Sequence, residues 1–227
     1  LLGNIYAEVF FMKKGLTEMV FILDRSGSMC GLEKDTIGGF NSMIKQQKQA
    51  GGSAVVSTVL FDDEIKVLHN RVAIDKIGNM TDEDYFTCGC TALLDAVGGA
   101  IHHIGNIHKY ARNDDVPEKT VFIIITDGLE NSSRRYNLAK VKKMISRQKE
   151  KYGWEFLFVG ANIDAVHTAG AMGIQEDNAV DYVADSEGTE VVYSVLSETV
   201  INIREKGKMQ SDWQAAIRED YNSRNRE

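Results

Sequence analysis

The sequence predicts an α/β protein in which a mostly parallel sheet, with one antiparallel strand, is covered by helices on both faces. Three observations carry this. The apolar runs MVFIL at 19–23 and VFIII at 121–125 are too short for helices, and read as strands buried on both faces. Segments with apolar residues at helical spacing alternate with such strands, as parallel sheets require. Two further strand-like runs, 54–61 and 65–72, are joined by the acidic tight turn Asp62-Asp63-Glu64 and form a hairpin.

Taken in order, strand 19–23 leads into a turn over 24–31. Ile37, Phe40 and Ile44 then mark a helix over about 33–49, stopped by Gly51-Gly52. The hairpin follows, then a polar stretch over 74–86. Leu94, Val97, Ile101, Ile104 and His108 lie on one face of a long helix. After a loop at 113–118 and the VFIII strand, Leu138, Val141 and Ile145 point one helix face inward. A buried strand at 156–159, a short helix over 164–172 and an edge strand at 179–183 bring the strands to six. The last clear helix carries Val192, Leu196, Val200 and Ile203 on one side; past Gly207 the chain is polar, and a peripheral helix or a mobile end is expected. This divides the chain into an N-terminal extension (1–16), one domain (17–206) and a tail (207–227). Met12-Lys13-Lys14 reads as a translation start. On that reading residues 1–11 lie upstream of it; otherwise they form an N-terminal element packed on the core.

At 227 residues, with 43% hydrophobic and 26% charged, the chain is long enough for one generous globular domain. The net charge of −7 disfavours nucleic acid and anionic membrane as partners, which require clustered Lys and Arg. No apolar stretch approaches the roughly 18 residues of a membrane span. Residues 1–11 carry Glu8 and lack a basic leader, so they make a poor signal peptide. Three cysteines make no disulfide framework, and a reducing cytoplasm is the expected compartment.

Ligands of parallel α/β sheets sit beyond the carboxyl ends of the strands, at the point where strand order reverses. Asp24-Arg25-Ser26-Gly27-Ser28 directly follows the first strand, Asp127-Gly128 directly follows VFIII, and Thr91 opens a helix. Together they supply two carboxylates and three hydroxyls, with no imidazole. Such hard oxygen donors suit Mg²⁺, with Mn²⁺ or Ca²⁺ as alternatives, and do not suit Zn²⁺. So few charges leave Mg²⁺ with waters and an open position that an external carboxylate can fill. Singly, each piece has an ordinary structural role as a helix cap or a turn. All three together, each after the right element, favour the metal.

Residues 18–29 (EMVFILDRSGSM) resemble the opening of a von Willebrand factor type A (VWA) domain. The metal-ion-dependent adhesion site (MIDAS) of that family is a D-x-S-x-S motif plus a Thr and an Asp on two further loops. Residues 89–97 (GCTALLDAV) resemble the second loop and Thr126-Asp127-Gly128 the third, so the resemblance covers about 17–203. It implies a Rossmann-like, three-layer α/β/α fold with a six-stranded sheet whose second and third strands form the hairpin. It also implies that Ser26, Ser28 and Thr91 coordinate the metal, with Asp24 and Asp127 acting directly or through water. The function implied is a Mg²⁺-dependent protein-binding module, not an enzyme, that engages an Asp or Glu of a partner protein. The helix over 192–203 resembles the element that shifts in family members when the site changes state. The bacterial cytoplasmic type works beside ATPases such as those of metal chelatases, or in stress-resistance complexes. The remaining alternative is a metal-dependent hydrolase using an activated water. Hydrolases of that kind usually supply more carboxylates or a second metal, and no phosphate-binding glycine loop is present.

Several residues near these loops carry expectations of their own. Cys30, Cys88 and Cys90 all fall on metal-site loops; they read as small, reduced, half-buried residues, the alternative being a redox or soft-metal closure of loop one onto loop two. Asp62, Asp63 and Glu64 read as a solvated turn. Asp95 reads either as a support behind the metal or as a helix-surface charge. Glu130 and Asn131 lie near the metal face, where they would shape partner choice. His102, His103 and His108 lack the i,i+4 spacing of a helical zinc pair and are expected in solvent.

Overall fold

A computed structural model describes residues 12–224. Six strands, β1 (Lys13–Asp24), β2 (Ser53–Phe61), β3 (Ile65–Ala73), β4 (Pro117–Thr126), β5 (Glu155–Gly160) and β6 (Ala179–Asp181), form one sheet in the order β3-β2-β1-β4-β5-β6. Every neighbouring pair is parallel except β2–β3, the hairpin. Helices α1 (Glu33–Gln49), α2 (Leu93–Tyr110), α3 (Leu138–Tyr152), α4 (Ala165–Ala171), α5 (Ser186–Lys206) and α6 (Ala215–Arg224) complete the chain.

The sheet separates two apolar cores because alternate residues of each strand face opposite sides. Met19, Phe21 and Leu23 of β1 and Val121, Ile123 and Ile125 of β4 pack with Phe40 and Ile44 of α1 and Leu196 and Val200 of α5. Val20, Ile22, Phe122 and Ile124 face the other way, toward Val97 and Ile101 of α2, Val141 and Ile145 of α3, and Ala165 of α4. Both faces of the central strands are therefore dry, which is why their sequences run apolar without alternation. Strand order reverses between β1 and β4. Asp24 is the last residue of β1, and Thr126, the last of β4, precedes Asp127. The two candidate carboxylates thus leave the sheet side by side.

The structure departs from the sequence expectations at the start of the sheet. Residues 1–11 lie outside the described residues. Of the expected extension, residues 13–16 are already strand: β1 starts at Lys13, and its register against β4 shifts between Lys13 and Thr17, where Gly15 has φ +74°. Of the two expectations for the tail, the structure shows the peripheral helix, α6. Trp213 and Ile217 are buried in the core, the Trp213 indole N–H donates to the Asp177 carbonyl (2.7 Å), and α6 packs on α5 and β6. The stretch 74–86 is polar in composition but buries Ile77, Met80 and Tyr85.

His108 is also not in solvent. Its Nε2 lies 2.6 Å from the Glu18 carboxylate, whose other oxygen accepts from Arg71 Nε at 2.8 Å, and Glu18 itself is fully buried in β1. Arg71 reaches it from a left-handed position (φ +52°) beside irregular β2–β3 pairing. Among the described residues, no helix is long and apolar enough to cross a membrane.

Candidate metal centre

Asp24, Ser26, Ser28, Thr91 and Asp127 converge at the carboxyl edge of β1 and β4. Each arrives for a local reason. Asp24 ends β1, and its Oδ1 accepts the Ser26 backbone N–H at 2.7 Å, which turns the chain sharply. A single 3₁₀ turn, Gly27–Met29, then presents Ser28. Thr91 is two residues before α2 and Asp127 one after β4. Four of the five are buried; Ser28 is exposed and opens the cluster to solvent.

The hydroxyls form a directed chain. Thr91 Oγ1 donates to Ser26 Oγ at 3.0 Å, Ser26 and Ser28 Oγ are 3.0 Å apart, and Ser28 Oγ donates to Asp127 Oδ1 at 2.5 Å. Asp24 is spoken for on both oxygens, Oδ1 by Ser26 and Oδ2 by the Thr126 hydroxyl at 2.5 Å. Tyr85, fully buried, donates its hydroxyl to the Asp24 carbonyl at 2.5 Å from below. Asp127 Oδ2 is buried and has no hydrogen-bond partner among the described residues. Burial pushes the Asp127 carboxyl up to about 6 against the Ser28 bond, and the nearby Asp24 charge adds to the rise. Burial also raises Asp24, against the bonds from Thr126 and Ser26. Both rises come first from burial.

Three properties of the chain's own atoms fit a small hard cation. Donors adjacent on an octahedron of about 2.1 Å bonds lie about 3 Å apart, the separation of Ser26 Oγ from both Ser28 Oγ and Thr91 Oγ1. The unpartnered Asp127 oxygen costs on the order of 1–3 kcal/mol unless something positive meets it. Finally, a Cβ on Gly128 would lie 2.7 Å from Thr91 Oγ1 and 3.0 Å from Ser28 Oγ, so only glycine leaves this cradle open. Among the described residues no group of three His, Cys, Asp or Glu side chains is placed to hold a metal ion. The donor set here is hydroxyl-rich, as hard cations accept.

The surroundings of these five residues place several side chains differently from their sequence expectations. The hairpin turn is a hub rather than a solvated loop. Asp62 is buried and pairs with Arg25 (2.9 Å), accepts the Cys88 thiol (3.2 Å) and offers its carbonyl to Ala92 N, while Asp63 accepts from Cys90 N. It thereby ties loop one to loop two, which also meet through Gly27 N and the Gly89 carbonyl (3.2 Å). Asp95 is not a surface charge but is buried beneath loop three. Its carboxylate accepts the backbone N–H of Arg134, Arg135 and Tyr136.

In return, loop three caps α2, whose own N-cap residue offers no side chain. Asn131 accepts Thr91 N, Glu130 accepts Leu94 N and Ser133 accepts Asp95 N. Glu130 and Asn131 thus serve the scaffold. The three cysteines are exposed, not half-buried, and unpaired with one another; the bond to Asp62 raises the Cys88 thiol. Phe86, which carries the Arg25 guanidinium 5.2 Å from its ring centre, and Leu129 are exposed apolar residues at the rim.

No protein-family model matches the chain, and no curated protein matches its sequence. Solved structures do. The chain superposes on the PilB minor pilin of Streptococcus sanguinis at TM-score 0.58 and 13% identity, covering 85% of this chain and 63% of that one. It is similar to proximal thread matrix protein 1 of the mussel byssus, in a form with a zinc-occupied MIDAS motif, at TM-score 0.57 and 15% identity over 84% and 47%. A von Willebrand factor type A protein from Catenulispora acidiphila matches at TM-score 0.53 and 15% identity over 82% and 42%. The fold is that of a VWA domain, three layers with a six-stranded sheet and one antiparallel strand. The chain spans less than two thirds of the length of each of these proteins.

Proposed function

We propose that the chain is a protein-binding module in which Asp24, Ser26, Ser28, Thr91 and Asp127 hold one Mg²⁺, and that the metal grips a carboxylate of a partner protein without catalysing a reaction. The observation that carries this is the hydroxyl chain that ends on Asp127 Oδ1, beside a buried Oδ2 of the same carboxylate with no partner among the described residues. Ser26, Ser28 and Thr91 would bind the cation by their hydroxyl oxygens and Asp127 by its carboxylate. Asp24, with both oxygens held by protein donors, would act through water. A cation so held meets one protein charge directly and stays electrophilic toward an incoming Asp or Glu. When bound, Mg²⁺ supplies that attraction. The chain's part is to keep the neutral oxygens in place and one side open at Ser28. The site offers no third carboxylate to act as a general base, which supports binding over hydrolysis. The neighbour with zinc in its MIDAS motif supports a divalent cation on this fold.

Titration calorimetry with MgCl₂ on chelator-treated protein tests this. One-site binding is expected, together with a rise in melting temperature that grows with free Mg²⁺, as ligand linkage requires. No heat and no stabilisation with Mg²⁺, Mn²⁺ or Ca²⁺ would refute the site.

A further inference from the structure

Between residues 134 and 151 the sequence holds eight Lys and Arg against one Glu, a local charge of +7 in a chain of net −7. The rest of the molecule therefore carries −14. The segment is loop three plus α3, and Arg134, Arg135, Lys140, Lys142, Lys143, Arg147 and Lys151 are all exposed. Among the described residues none of these cations joins an ion pair. Neighbouring α2 offers no exposed carboxylate; its one acid, Asp95, is bound to the loop.

A solvated helix face ordinarily mixes signs, and this one works against its own helix. Lys143, Arg147 and Lys151 repeat at i,i+4, where like charges repel along the helix face. The first turn of α3 has no acid, while Arg134, Arg135 and Lys140 crowd the positive end of the helix dipole. The arrangement lowers stability and makes sense as a surface awaiting negative charge.

Its position says which. Arg134 and Arg135 sit seven and eight residues after Asp127, in the loop bound to the start of α2, so the basic stripe begins at the candidate metal centre and runs about 22 Å along α3. We infer that the partner is an acidic polypeptide segment, one carboxylate on the metal and several more along α3. The single coordinated carboxylate rests on the reading proposed above; the basic contacts do not. A nucleic acid fits less well, because a polyphosphate longer than this stripe would run onto the surface that carries the −14.

The probe is a fluorescein-labelled peptide of about ten glutamates, followed by anisotropy on the full chain in Mg²⁺ and in EDTA. Binding should be salt-sensitive, present in EDTA and tighter in Mg²⁺. Lys142→Glu/Lys143→Glu/Arg147→Glu should weaken it roughly tenfold or more in both buffers. The Gln triple variant should lose part of that, with unchanged melting temperature in each case. Asp127→Ala should remove only the Mg²⁺ increment. If Mg²⁺ adds nothing while the triple variants still lose binding, the basic-face inference stands and the metal reading fails. Wild-type affinity in the triple variants, no peptide binding at all, or tighter binding of an oligothymidylate of equal charge would each overturn the inference.

Discussion

Replacing Asp95 with asparagine should destabilise the fold by about 3 kcal/mol, although the two side chains are nearly isosteric. In the native protein Oδ2 accepts the Arg134 N–H (2.9 Å), and Oδ1 accepts those of Arg135 (2.9 Å) and Tyr136 (2.8 Å), with Asp95 only 8% exposed. Hydrogen bonds to a charged acceptor contribute about 1.5–3 kcal/mol each. Asparagine keeps one carbonyl oxygen for Arg135 and Tyr136 but turns an NH₂ toward the Arg134 N–H. One charge-assisted bond is lost, about 2 kcal/mol, and the other two weaken to neutral strength, about 1 kcal/mol together. For a domain of this size that lowers the melting temperature by about 6–12 °C.

The acid dependence of this effect follows from the Asp95 carboxyl. Burial pushes it up, but the three N–H donors outweigh burial and hold it below the ordinary carboxylate range. A depressed carboxylate stabilises the fold above its unfolded value of about 3.9, and the contribution disappears as pH falls through the lower folded value. Urea unfolding followed by circular dichroism should therefore give a wild-type minus variant difference that is flat from pH 7 to about 5 and shrinks below about 4. A difference under about 1 kcal/mol at pH 7, or one that persists at low pH, would refute the claim that this carboxylate is the latch of loop three.

Three further outcomes can be checked alongside. Gly128→Ala keeps all five candidate ligands yet puts a methyl group 2.7 Å from Thr91 Oγ1, so calorimetry should show Mg²⁺ binding lost while circular dichroism stays native. Ser26→Ala with Ser28→Ala should likewise abolish Mg²⁺ binding, and urea unfolding should show a loss of no more than about 2 kcal/mol, because the hydroxyl chain contributes only ordinary hydrogen bonds. Glu18→Ala leaves the Arg71 and His108 groups facing an empty buried position and should cost about 3–5 kcal/mol in denaturant unfolding, without change in Mg²⁺ affinity.

What the sequence showed of this protein was whatever acts locally. The buried strands announce themselves as apolar runs, and the hairpin shows as two runs around one acidic turn. Asp24 and Asp127 are visible because each is the first acidic residue past an apolar run that reads as a central strand. Groups whose roles are set by partners far along the chain were not visible. Asp62 reads as solvated until Arg25 and Cys88 are brought to it, Asp95 as a helix-surface acid until residues 134–136 fold over it, and Glu18 as a motif-edge residue until Arg71 and His108 enclose it. How firmly the tail helix is anchored was hidden for the same reason: its polar composition conceals Trp213 and Ile217, which are buried.

The metal-free site should also be a stable folded state. Thr91, Ser26 and Ser28 satisfy one another in sequence and end on Asp127 Oδ1, so only one oxygen is left wanting. Around them, the Asp62 hub and the Asp95 latch hold all three loops by bonds that include none of the five candidate ligand side chains as donors. A structural zinc site behaves oppositely, since its ligands have no order until the metal arrives and chelators unfold it. On the proposed reading the candidate ligand oxygens are placed beforehand by the scaffold, and a cation would need only to displace weak hydroxyl contacts. Mg²⁺ would then come and go without unfolding the chain, which suits a centre whose remaining coordination position must be free to receive a carboxylate and release it.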